Sequence, residues 1–84
     1  MYTVTLDDES GQQTDALPPA ALAPFAELRT MLEVAPWNGD QLNKLKPDSS
    51  MRTCTFGTNG EGMTVYLILE AQRRVDLLTV VWMG

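Results

Sequence analysis

The chain contains no histidine and only one cysteine among its 84 residues. The first absence removes serine–histidine and cysteine–histidine nucleophile pairs, the zinc-binding helix motif and the usual imidazole acid–base. A single thiol, Cys54, can close no internal disulfide and build no thiolate cluster, and it reads as a small packing residue. Runs of about 18 apolar residues, the length a spanning helix needs, are missing as well. The opening Met-Tyr-Thr-Val-Thr-Leu-Asp-Asp has neither the basic start nor the long apolar core of a secretory leader, so a cytoplasmic protein is expected. No phosphate-cradling or dinucleotide fingerprint occurs, because Gly57, Gly60 and Gly62 fall between two strand-like runs and not between a strand and a helix. No cofactor or metal is therefore expected.

Cations are also scarce, with six Lys and Arg against eleven Asp and Glu and a net charge of −5. That balance argues against a surface built throughout for phosphate backbones. The acids are unevenly placed. Residues 1–40 hold seven acids against Arg29 alone, whereas residues 41–84 hold five bases against four acids. The second half is close to neutral and carries Lys44, Lys46, Arg52, Arg73 and Arg74, enough for a local basic patch.

What is present in quantity is strand-forming sequence. MRTCTFG, MTVYLILE and VDLLTVVW concentrate β-branched and aromatic residues in runs of strand length. Asn59-Gly60 and the polar Ala71-Gln72-Arg73-Arg74 break them, which predicts two hairpins in series, a three-stranded antiparallel meander. The last strand is apolar on both faces, as an interior strand would be, with Val75, Leu77 and Val81 on one side and Leu78, Val80 and Trp82 on the other. Its second face needs a cover, from this chain or from a partner.

Upstream, Tyr2, Val4 and Leu6 alternate as a short first strand. Asp7 or Asp8 can cap a helix over Asp8 to Leu17, although Gly11 and the thin apolar face make a loop with one helical turn the competing reading. After Leu17-Pro18-Pro19 a second helix is expected from the Ala21–Pro24 region, burying Leu22, Phe25, Leu28, Leu32 and Ala35. Pro36-Trp37-Asn38-Gly39 ends it, and Asp40 to Ser50 reads as a polar surface connection. The expectation is one α+β domain over residues 1–84: a short N-terminal strand, two helices of which the first is weak, and the meander.

Three cations stand close enough in sequence for chemistry. Lys44, Lys46 and Arg52 near a strand entrance could hold a phosphate and offset the charge of phosphoryl transfer, and are the candidate catalytic set. Tyr66 could stack on a base, with Arg73 and Arg74 completing a substrate-binding group. The competing reading of all six is surface charge and a core aromatic. Glu61, Glu70 and Asp76 at strand ends read as solvated carboxylates.

The order of elements, the LPP before the second helix, the AP-W-N-G break after it and the strands V-Y-L-I-L-E and V-D-L-L-T-V-V-W together resemble the RelE/ParE toxin superfamily, and its short actinobacterial RelE-like branch in particular. The resemblance covers nearly the whole chain. It implies the toxin of a toxin–antitoxin pair, held by a small antitoxin, and for RelE-like members an endoribonuclease that cleaves mRNA on the ribosome; ParE-like members inhibit DNA gyrase instead. It also implies where RelE nucleases carry their cations: on or near Thr53 and Thr55, and at Met63. None of these is basic here. The arginine and tyrosine that follow the last strand of active RelE enzymes have no counterpart within residues 1–84. A non-catalytic module of the same fold, docking an antitoxin-like peptide or a second copy of itself as a homodimer through the apolar last strand or the helical face, is the reading from a different class.

Overall fold

The computed structural model describes residues 1–42 and 49–84. Its elements are β1 (Thr3–Leu6), α1 (Asp8–Asp15), α2 (Pro19–Val34), β2 (Asp40–Gln41), β3 (Met51–Phe56), β4 (Gly62–Leu69) and β5 (Arg74–Trp82). The strands form one mixed sheet in the order β1-β5-β4-β3-β2, in which β1 alone runs parallel to its neighbour. The meander and the α+β class are as expected. The sheet gains a fifth strand, because Asp40–Gln41, placed in a surface connection by its polarity, pairs with Thr53 and Arg52.

The first helix forms despite its poor apolar face because its start is well capped. The Asp7 carboxylate accepts the Ser10 amide at 2.8 Å while the buried Ser10 hydroxyl accepts the Asp7 amide at 3.0 Å, a reciprocal capping box. The Ser10 amide and hydroxyl, both donating to the Asp7 carboxylate, hold its carboxyl below its ordinary pKa. Farther along, the Gln13 side-chain oxygen accepts the Val80 amide at 2.7 Å, satisfying the edge of β5 beyond the point where β1 ends.

Helix α2 begins at Pro19, ahead of the expected Ala21–Pro24 start. Pro19 occupies the first helical position, where no amide bond is needed, so the Pro-Pro pair opens the helix instead of delaying it. Pro24 then lies inside the helix and costs one backbone bond. The earlier start brings Ala21 into the core, fully buried, while Leu22 is left 54% exposed, contrary to its assignment to the buried face. Phe25, Leu28 and Leu32 are buried as expected and pack against Phe56, Tyr66, Ile68, Val75, Leu77 and Val80 of the sheet.

Strict alternation fails in β5. Val65 pairs with Thr79 but Tyr66 pairs with Leu77, so Leu78 is an extra residue at a bulge. The bulge shifts the phase, and Val75 and Leu77 share the core face with Val80 instead of Val81. Between β3 and β4 the turn depends on Gly57 and Gly60, at φ +98° and +72°.

Candidate functional site

The core lies on one face of the sheet, and two of the candidate site residues are on it. Arg52 and Tyr66 are register partners on β3 and β4. Arg52 is only 9% exposed. Its Nε donates to the Ser49 carbonyl at 3.2 Å, and Nη1 donates to the carbonyls of Trp37 and Gly39 at 3.3 and 3.1 Å. The guanidinium also lies 5.0 Å from the Trp37 ring centroid. Its geometry is that of a staple joining the end of α2, β2 and the entrance to β3.

Tyr66 is completely buried, so the base stacking expected of it has no exposed ring face. Its hydroxyl donates to the Pro36 carbonyl at 2.6 Å, and burial pushes its pKa up to about 12. The backbone comes very close here. A Cβ on Gly39 would sit 1.8 Å from the Tyr66 hydroxyl, which explains a glycine at an ordinary negative φ.

Arg73 and Arg74 are engaged with carboxylates. Glu70 gathers three donors: Tyr2 Oη at 2.6 Å and Trp37 Nε1 at 2.8 Å on Oε1, and Arg73 Nη1 at 2.8 Å on Oε2. Arg73 also donates to the Tyr2 hydroxyl at 2.9 Å, from the left-handed backbone position φ +50° that closes the β4–β5 turn. The bonds from Tyr2 and Trp37 hold the Glu70 carboxyl below its ordinary pKa. Arg74 makes a two-point contact with Asp76, whose carboxylate also accepts the Thr5 hydroxyl; Arg74 foremost lowers the Asp76 pKa. Lys44 and Lys46 lie outside the described residues.

The four described candidates, Arg52, Tyr66, Arg73 and Arg74, therefore do not converge on one phosphate-sized opening. Arg52 and the Arg73 turn are instead linked through Trp37 and Glu70 into a belt around one end of the sheet. Sequence reading missed this belt because Glu70, half exposed, resembles any solvated strand-end carboxylate.

Opposite the core, the sheet shows a different surface. Thr55, Met63 and Val81 form one row across β3, β4 and β5; Thr53, Val65 and Thr79 form the next, followed by Met51, Leu67 and Asp76. None of these side chains belongs to the buried core. The sole cation of this face among the described residues is Arg74, already bound to Asp76. Among the described residues there is no cluster of potential metal ligands, and no helix is long and apolar enough to cross a membrane.

This arrangement of two helices and sheet has solved counterparts. The isolated E. coli RelE toxin superposes over 100% of this chain and 86% of its own, with a TM-score of 0.81 at 9% identity. The fold is RelE-like. The intact E. coli RelBE toxin–antitoxin complex gives a TM-score of 0.75 at 14% identity, over 100% of this chain and 99% of that one. An archaeal RelE–RelB complex from Pyrococcus horikoshii gives 0.65 at 18%, over 99% and 96%. No protein-family model and no curated protein sequence matches the chain. At these identities the likeness is one of backbone, and the side chains on this RelE-like sheet must carry the functional reading by themselves.

Proposed function

We propose that this chain is the RelE-like component of a toxin–antitoxin pair and that it works by binding a small antitoxin-type protein, with the face opposite the core as the main contact. One observation carries the reading. The rows Thr55–Met63–Val81 and Thr53–Val65–Thr79 present apolar and hydroxyl groups over three adjacent strands, at the positions where the resemblance to RelE nucleases calls for cations. Such a surface has little to offer a phosphodiester, but it suits burial against another protein. Solved RelE structures of this fold include complexes with RelB, which supports a partner of the same kind here.

Arg52 as a nuclease residue has less support, since its guanidinium already serves backbone carbonyls. The test is co-expression with the product of any small reading frame adjoining the gene. A stable complex, lost on Leu67→Lys, with no cleavage of ribosome-bound mRNA by the free chain, is expected. If the free chain instead cleaves mRNA, and a folded Arg52→Lys variant does not, the binding reading fails and the ribonuclease reading replaces it. A DNA-damage response without translational arrest would point to gyrase.

A further inference from the structure

The outer edge of β3 is only partly used. The two residues of β2 pair with Arg52 and Thr53, and beyond them Cys54, Thr55 and Phe56 have no strand on that side among the described residues. Strand edges of this kind are usually blunted by lysine, proline or a bulge, and the Met51–Phe56 sequence MRTCTF offers none of these at its open end. Beside the edge runs a groove of about 230 Å³ between β3 and α2. Pro24, Leu28 and Met31 wall it on the helix side and Cys54 and Phe56 on the strand side. Among the described residues the one charged side chain lining it is the exposed Glu27.

An unpaired edge flanked by an apolar groove is the geometry that accepts an added strand, main-chain bonds giving affinity and alternate side chains entering the groove. Charge selects the occupant. The chain carries −5 overall, and residues 1–40, which include α2, hold seven acids against Arg29. A second copy would bring like charge to the same lip, whereas a cationic segment is attracted to it. We propose that the outer edge of β3 and its groove take up an extended peptide segment of a partner protein that alternates apolar residues with Lys or Arg. The inference rests on the protein-binding reading above and specifies a second contact and the partner's charge.

The probe is a displayed library of random dodecapeptides selected on the purified chain. Enriched peptides are expected to alternate apolar and basic residues. Their binding should shift the amide signals of Cys54 to Gly57, slow alkylation of Cys54 by iodoacetamide, and weaken about fivefold in the surface variant Glu27→Lys. Acidic enriched sequences would overturn the proposal. So would basic peptides that leave Cys54 alkylation unchanged and shift the Val65 and Leu67 amides instead, an outcome that retains the protein-binding reading on the opposite face. An unenriched library also overturns it; if the adjoining gene product still binds, the inference fails alone, and if nothing binds, both readings fall together.

Discussion

The two faces of this sheet differ in how deeply their polar groups are buried, although on each a threonine hydroxyl donates to a backbone carbonyl, Thr64 to that of Thr79 and Thr53 to that of Thr64. On the core face Arg52, Thr64 and Tyr66 are buried, and each is bonded to backbone carbonyls: Arg52 to those of Ser49, Trp37 and Gly39, Thr64 to that of Thr79, and Tyr66 to that of Pro36. Among the described residues no buried side-chain polar atom lacks a partner. On the opposite face, the threonines and apolar residues of β3, β4 and β5 are left outside the core. A cation or phenol is therefore a poor guide to chemistry in this molecule. Arg52 and Tyr66, which look catalytic in sequence, bond to backbone carbonyls inside the fold, and the residues that look inert are the ones left outside the core.

If the core-face groups are structural, the largest stability losses belong there. Tyr66→Ala empties a fully buried site and removes the bond to Pro36, and is expected to cost about 3–5 kcal/mol in urea unfolding. Tyr66→Phe keeps the ring and leaves the Pro36 carbonyl only the longer 3.4 Å bond from the Gly39 amide, for a loss of about 0.5–1.5 kcal/mol. The ratio of the two separates packing from hydrogen bonding. A Tyr66→Phe protein as stable as the original would show that the Gly39 amide or water satisfies the carbonyl, and would weaken the contrast between the faces.

Arg52→Ala comes next, at about 2–3 kcal/mol, because several backbone acceptors lose a charged donor together. Arg52→Lys should recover only part of this, since one ammonium cannot reproduce the planar fork that reaches Ser49 while facing Trp37. A catalytic Arg52 predicts the reverse pattern, with stability retained and activity lost.

The distinction between faces was only partly legible in the residues. The β3–β4–β5 meander was, because β-branched density and the Asn59-Gly60 pair act locally. The opening of α2 was not, because Pro-Pro can either delay a helix or start one, and burial of Ala21 decides. Likewise the extra residue Leu78 is invisible to a period-two reading, yet it determines which of Val80 and Val81 enters the core. Arg52 lay beyond sequence reasoning for a tertiary reason. Its acceptors, Trp37 and Gly39, come from a segment more than ten residues away that only the fold brings alongside.

Smaller effects come from the belt at the sheet end. Glu70 has a folded pKa below its ordinary value of 4.5, and Asp76 one below 3.8. Each contribution is fully present above those ordinary values and is lost as pH falls through the lower folded ones. Thermal melts should therefore show stability falling below pH 4.5. Glu70→Gln should make that fall shallower, while its remaining carbonyl can still accept from Tyr2 and Trp37. Unchanged acid behaviour in Glu70→Gln would mean that solvent already screens the cluster, as the half exposure of both Glu70 and Arg73 favours.

The opposite face should respond least in stability and most in binding. Leu67 lies mid-strand on β4, between Met51 and Asp76, outside the buried core. Leu67→Lys leaves its stem along the sheet and its ammonium in water, so it should cost no more than about 1 kcal/mol. In a partner interface the same ammonium would be desolvated beside an Asp76 carboxylate already shared with Arg74 and Thr5, and removing one such contact from the centre of an interface costs on the order of 2 kcal/mol or more, over tenfold in Kd. Comparing denaturation with partner affinity for the same protein therefore decides what this face is for. A Leu67→Lys chain that unfolds much more easily would make the face part of the stabilising structure, whereas normal stability with lost binding would make it the working surface.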